Sequence, residues 1–302
     1  MKRFIRKTIL FLFPLLVIIM VLEIYLRKIP NDYINKKNYL EQYSNDISTL
    51  ILGSSHSLYG LDPIYFSSNT FNASHVSQTL NFDYEILKKY ENRFENLKTI
   101  VLPISYFTLF EVLQNTDEDW RVKNYVIYHQ MDNHYGLKHF SEVFSNRLNV
   151  NLARLTSFYI NDNIKAVSSK RGWATNYKSE FAKDLKESSK SAVLRHTISD
   201  FEYLDDNILT LNTIVEWSKK RNIKVVLFTP PAYFEYRDKM NQEQFRTFVE
   251  AVNHVMNRFD NCEYFNLIDN KEFTFKDFYD GDHLNEIGAK KLSLIINDLL
   301  IN

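Results

Sequence analysis

The sequence predicts a three-layer α/β domain, a parallel sheet covered by helices on both faces, preceded by one N-terminal transmembrane helix. Two observations carry this. Short apolar runs alternate with helical periodicities through most of the chain, the pattern of a parallel sheet with crossover helices. Ahead of them lies an apolar stretch of nearly bilayer length behind a basic N-terminus.

The chain opens with Lys2, Arg3, Arg6 and Lys7, followed by apolar residues from Ile9 to Leu26 interrupted by Glu23, and closed by Arg27 and Lys28. A helix over Ile9–Leu26 would be about 27 Å long at about 1.5 Å per residue, close to the hydrocarbon thickness of about 30 Å. No small residues mark a signal-peptidase cut after Leu22, and no cysteine is there to carry a lipid. An uncleaved signal anchor fits best, with the basic end in the cytoplasm and the remainder outside the membrane. Residues 1–28 are thus expected to form a cytoplasmic tip and anchor, residues 29–45 a polar tether, and residues 46–302 the α/β domain.

Within that domain, Ser48–Leu52 is an apolar run stopped by Gly53, and Leu97–Leu102 is another, ended by Pro103. Both read as buried strands, with helical spacing between them from Tyr84 to Phe94. An amphipathic helix over Asp206–Asn222 leads into a strand at Lys224–Thr229, broken by Pro230 and Pro231. A helix at about Gln242–Arg258, a strand at Glu263–Leu267 and a last helix at about Glu286–Leu300 complete the alternation. The stretch from about 111 to 200 fits it poorly and is expected to be an insertion or lid. It scatters His129, His134 and His139 in a spacing that matches no defensible metal-ligand pattern.

Composition removes several function classes. Lys plus Arg and Asp plus Glu both total 37 in 302 residues, so no basic excess points to nucleic acid. Cys262 is the only cysteine. That rules out an intramolecular disulfide and a cysteine metal site, and its apolar neighbours make it a small buried hydrophobe. No cofactor or metal is called for. The 19 Tyr and 23 Phe serve mainly for packing, with a minority available to line a sugar-binding groove.

Two motifs carry chemistry. In Gly53-Ser54-Ser55-His56 the glycine permits a tight turn after a strand. A serine there presents its hydroxyl at the sheet's carboxyl edge, where ligands bind in such folds, beside backbone N–H groups able to hold an oxyanion. In Asp280-Gly281-Asp282-His283 the carboxylate three residues before the imidazole can reach Nδ1 while Nε2 faces outward, the arrangement a serine triad requires. Asp282 adjoins the histidine and is less able to fold back onto its ring.

Together these motifs resemble the SGNH, or GDSL-like, hydrolase superfamily, whose sheet is flavodoxin-like. Its nucleophile block follows the first strand, and its Asp-x-x-His block precedes the last helix. The resemblance implies Ser55 as nucleophile, His283 as base and then acid, and Asp280 as its orienting partner. It covers about residues 47–300 apart from the 111–200 stretch. Two further blocks depart from the pattern. Ser77 stands where the family has its oxyanion glycine, although a backbone N–H does not require glycine. After Leu102 the chain has Pro103-Ile104-Ser105-Tyr106 and no asparagine. The oxyanion donors implied are Ser55, Ser77 and Ser105, with Tyr106 an alternative in the last position. Loss of one donor typically costs about 2.7–4 kcal/mol of transition-state stabilisation.

A membrane helix, a Gly-Ser-Ser block and Pro-Pro after a late strand also resemble the polysaccharide O-acetylation proteins of bacterial envelopes and the D-alanyl transfer protein of lipoteichoic acid synthesis. That implies acyl transfer to or from a surface glycan, beside a multi-spanning membrane acyltransferase. Two readings follow: a serine esterase or O-acyltransferase working through an acyl-serine, favoured by Ser55, Asp280 and His283; and a degenerate SGNH-fold glycan-binding or scaffold protein, favoured by the missing asparagine and by Ser77.

Overall fold

The computed structural model describes residues 1–131, 136–163 and 166–301. In chain order it contains helices α1 (Lys2–Arg27) and α2 (Asp32–Tyr43), strand β1 (Thr49–Ile51), α3 (Ser55–Gly60), β2 (Thr70–Asn72), α4 (Leu80–Tyr90), β3 (Thr99–Pro103), α5 (Val122–Ile127), α6 (Glu142–Ser145), α7 (Leu148–Tyr159), α8 (Leu185–His196), α9 (Leu204–Lys219), β4 (Lys224–Thr229), α10 (Phe234–Arg237), α11 (Gln242–Arg258), β5 (Cys262–Asn266) and α12 (Glu286–Ile301). They fall into two compact units, residues 1–37 with 117–166 and residues 38–116 with 167–302.

The larger unit is built on a parallel five-stranded sheet in the order β2-β1-β3-β4-β5. Leu50, Ile100, Val225 and Leu227 are wholly buried, so these strands read as continuous apolar runs, as double-sided burial requires. Ile51, Val101 and Phe228 form one core cluster with Leu292 and Ile296 of α12 and with Leu61 and Phe278. Helix α9 packs on β4 and on α4, and α12 packs on α3. The expected α/β class, a parallel sheet flanked by helices after one apolar N-terminal helix, is what the structure has. Strand β2 has no counterpart in the sequence reading; three residues are too few for a period to register.

The strand order reverses direction between β1 and β3, and the three candidate serine segments leave the carboxyl ends of strands at or beside that switch. Ser55 follows β1, Ser77 follows β2 and Ser105 follows β3. Gly53 makes the first of these turns at φ +99°, and a Cβ there would lie 2.5 Å from Pro103 Cγ. Its N–H donates to Asp83 Oδ1 at 2.7 Å, and its carbonyl accepts from His75 N–H at 3.2 Å. The buried Asp83 also accepts from the Gln78 amide, so one carboxyl group fixes the Gly53 turn and the Ser77 loop together. Burial pushes Asp83 up to about 7 against these two bonds.

The smaller unit holds the N-terminal helix. Helix α1 is long and apolar enough to cross a membrane and is almost entirely exposed. Residues expected to form a tether are helical over α2. Of the expected 111–200 insertion, residues 117–166 fold with residues 1–37, while residues 167–200 belong to the sheet unit. His129 and His139 are buried and join no three-residue cluster of metal-ligating side chains among the described residues; His134 lies outside them.

Candidate active site

Ser55 begins α3, and its position there follows from the Gly53 turn. Its Oγ lies 2.9 Å from His283 Nε2. On the other side of the ring, Nδ1 lies 2.9 Å from Asp280 Oδ1. Residues 228 apart in sequence thus meet at hydrogen-bond distance. Ser55 is partly exposed, whereas Ser54 and Ser57 are buried, so only the middle serine of the three offers its hydroxyl to solvent.

The Asp280–His283 turn is shaped by its own backbone. Asp280 Oδ1 also accepts the N–H of His283 at 2.9 Å and of Asp282 at 3.3 Å. Asn285, just past the histidine, accepts the N–H groups of Ile287 and Gly288 through its side chain and donates to the carbonyls of Lys276 and Phe278. Gly281 lets α8 approach: a Cβ on it would lie 2.4–2.6 Å from atoms of Ser189, and its N–H donates to Ser188 Oγ at 3.0 Å.

Asp282 sits closer to the ring than the sequence suggests. Its Oδ1 is 3.6 Å from His283 Nδ1. Its Oδ2 is 3.4 Å from His56 Nε2 and 3.9 Å from His196 Nδ1. This buried carboxylate is therefore the hub of three imidazoles. His56 Nδ1 lies 2.5 Å from Ser105 Oγ, and His196 Nδ1 lies 2.9 Å from Tyr236 OH. Ring contacts with Phe107 flank both histidines.

The electrostatics of the cluster separate the histidines. Burial lowers His56, against its Asp282 bond, and burial lowers His196 to about 3, so both are neutral at pH 7. Burial also opposes charge on His283, but the carboxylates of Asp282 and Asp280 outweigh it and push the ring up to about 9. Asp282 is held far below the carboxylate range: burial opposes its charge, and the neighbouring imidazoles, His283 first, overcome that. At neutral pH His283 is thus an imidazolium, and Nε2 accepts a proton from Ser55 only once the ring has lost one. Proton transfer from Ser55 to His283, and any turnover that depends on it, is expected to rise with pH through a limb toward about 9. Asp282→Asn removes the carboxylate that stabilises the imidazolium most and should move that limb to lower pH. A limb that stays in place in the folded variant would show that Asp282 does not set the charge of His283.

The oxyanion candidates are placed unequally. Ser77 adopts φ +57°, a left-handed conformation that a glycine takes without cost. The Ser105 N–H donates to Thr108 Oγ1 at 2.9 Å, and its hydroxyl faces His56, so both its polar groups have protein partners. Tyr106 points elsewhere, with its hydroxyl accepting the Asn241 N–H at 2.9 Å. The sequence reading gives no role to His56, His196 or Tyr236. His56 had a signal, standing next to Ser55; His196 ends a polar helix and had none.

An aromatic stack borders the triad. Tyr59 and Tyr177 stack at 3.6 Å, Tyr177 and Tyr279 at 3.9 Å, and the edges of Tyr59 and Tyr177 meet His283 at 5.7 and 5.6 Å. His56, Asp282 and His283 have ligand atoms within 4.8 Å of one another. Both His283 nitrogens, however, already face Ser55 and Asp280, so a metal ion there would dismantle the triad geometry.

No family model matches the chain, and no curated protein matches it. Among solved structures, it is similar to a Streptococcus pneumonia protein provisionally assigned as a platelet activating factor, at 10% identity and a TM-score of 0.43, over 96% of this chain and 98% of the other. It is also similar to a Bacteroides fragilis protein provisionally assigned as an acylhydrolase, at 11% identity and a TM-score of 0.41, over 90% of this chain and 100% of the other.

Proposed function

We propose that the chain is a membrane-anchored, envelope-facing serine esterase or O-acyltransferase that acts on acyl esters of a surface glycan. The observation that carries this reading is the line Ser55 Oγ–His283–Asp280, with 2.9 Å at each step. Neutral His283 takes the Ser55 proton as Oγ attacks the acyl carbonyl carbon. Charge collects on the carbonyl oxygen, where the N–H groups of Ser55 and Ser77 are the donors. Collapse breaks the ester bond, and the leaving alkoxide takes the proton from His283. The acyl group stays on Ser55. A second hydroxyl, from water or from a sugar, then gives its proton to His283 and attacks the acyl carbon; collapse breaks the bond to Ser55 Oγ, which takes that proton back from His283. Asp280 and Asp282 stabilise the imidazolium that each half-reaction passes through.

The glycan belongs to this reading through Tyr177 and Tyr279, the partly exposed members of the stack beside His283, whose rings give a polyol an aromatic surface. The test is hydrolysis of an activated acetyl ester by the full-length protein in detergent, with and without acetylated and unacetylated glycan. Turnover that depends on Ser55, and acetyl found on added glycan, supports transfer; acetate alone supports hydrolysis. The second reading, a scaffold without turnover, is favoured by the engagement of Ser105 with His56 and Thr108, which leaves the third oxyanion position without an obvious donor. Folded protein without turnover on any acyl ester supports it.

The anchor enters the same proposal. Helix α1 crosses the membrane, with Lys2, Arg3, Arg6 and Lys7 on the cytoplasmic side. A multi-spanning membrane acyltransferase is the partner that would supply the acyl group. Full-length protein is expected in the membrane fraction, released by detergent and resistant to alkaline carbonate. Recovery in the soluble fraction without detergent contradicts the anchor.

A further inference from the structure

The outer end of α1 does more than lead out of a membrane. Glu23, the one acidic residue of the helix, accepts the N–H groups of Glu142 and Val143, each at 3.0 Å, and the Ser141 hydroxyl at 2.7 Å. It thereby caps α6, where unpaired N–H groups favour a carboxylate. Arg27 donates to the Phe140 carbonyl at 2.5 Å. At the far end of α7, the Tyr159 hydroxyl donates to the Tyr25 carbonyl at 3.0 Å, and the two rings meet edge to face at 5.4 Å. Both ends of the α6–α7 segment are therefore tied to residues 23–27, the last turns of the apolar helix.

That segment exposes its apolar side chains. Phe140, Phe144, Leu148 and Leu152 are 51%, 65%, 60% and 48% exposed. On α7, Leu148, Leu152 and Tyr159 recur at i, i+4 and i+11, one face of a helix. Arg147 stands beside Leu148, and no carboxylate among the described residues pairs with it. Behind the segment a cavity of about 790 Å³ is lined by Ile29 and Pro30 as well as by Arg121, Arg147 and Arg154.

We propose that α6 and α7 are an interfacial element seated on the lipid surface, with Phe140, Phe144, Leu148 and Leu152 in the acyl boundary and Arg147 at the phosphates of anionic headgroups. This rests on the reading of α1 as a membrane span. If α1 crosses the bilayer, residues 23–27 lie at headgroup depth, and the bonds above hold α6 and α7 at that depth. Apolar side chains there lose contact with water, and a neighbouring arginine meets phosphate, the division found in helices that lie in the membrane plane.

The test uses single cysteines in the full-length chain, since Cys262 is buried and the unsubstituted chain reports background labelling. An environment-sensitive fluorophore is placed at Phe11→Cys, Phe144→Cys, Leu148→Cys and Asn149→Cys, the last being exposed and off the apolar stripe. The proteins are reconstituted into phosphatidylcholine–phosphatidylglycerol vesicles with and without doxyl-labelled lipid. The expected result is blue-shifted, lipid-quenched emission at 11, 144 and 148, and water-like, unquenched emission at 149. Quenching at 11 with water-like emission at 144 and 148 overturns this proposal and leaves the anchor standing. Blue-shifted but unquenched emission at 144 and 148 also overturns it, because protein then covers the face. Water-like emission at all four positions overturns the anchor, and this inference with it. Leu152→Cys repeats the test if Leu148→Cys does not fold.

Discussion

Ser55→Ala is expected to remove acyl-ester turnover almost completely, by about 10⁵–10⁶-fold in kcat, because nucleophile and base act as one unit. His283→Ala should fall to the same level, and the double variant should be scarcely worse. The structure sharpens this expectation. The neighbouring serines are buried, so neither Ser54 nor Ser57 stands ready to take over. The assay is hydrolysis of an activated acetyl ester by full-length protein in detergent, with folding followed by circular dichroism. Wild-type turnover in Ser55→Ala would place the nucleophile elsewhere; additive losses in the double variant would mean that the two residues do not share a step.

The second large effect separates the two carboxylates. Asp280→Asn keeps an oxygen to accept the N–H groups of Asp282 and His283, so the turn survives. It removes the charge beside Nδ1 while the same oxygen still faces the ring and both backbone N–H groups, so what is lost is the stabilisation of the imidazolium. In serine triads that change costs about 10⁴ in kcat, and a loss of roughly that size is expected here. Asp282→Asn should cost much less in kcat, since Asp282 stands 3.6 Å from Nδ1 and lacks the 2.9 Å bond. Its signature is the moved pH limb instead. Asp282→Ala is a different experiment: it strips His56 of its buried acceptor, and an unsatisfied buried group typically costs about 1–3 kcal/mol of stability. A larger kcat loss in folded Asp282→Asn than in Asp280→Asn would reverse the assignment of the orienting carboxylate.

What the sequence made legible follows from the range of the interactions involved. Strands β1, β3 and β4 are apolar runs bounded by Gly53, Pro103 and Pro230, and local composition is enough to mark them. The Asp280–His283 pair is also local, closed within one turn by backbone bonds to Asp280. The Ser55–His283 meeting is not local; the two motifs were joined only by their resemblance to the SGNH pattern, since nothing in their spacing brings residues 228 apart together. The rest depends on tertiary convergence. His196 ends a helix rich in Lys and Ser and reaches Asp282 only through the packing of α8 against the Gly281 turn. Ser77 stands where the resemblance expects a glycine, and its left-handed backbone, φ +57°, is visible only in the fold. Glu23 reads as an interruption of an apolar helix, and only the fold reveals it as the cap of a helix more than a hundred residues away.

The most direct test of the central claim, that Ser55 is an activated nucleophile, is covalent labelling by a fluorophosphonate. Full-length protein in detergent is treated with the probe at pH 7 and pH 9, digested, and mapped by mass spectrometry. The account predicts a single adduct on Ser55, formed faster at pH 9 than at pH 7 as His283 loses its proton, and absent in Ser55→Ala and in His283→Ala. Folded wild-type protein that takes up no probe at either pH, or an adduct that persists in Ser55→Ala, would contradict it.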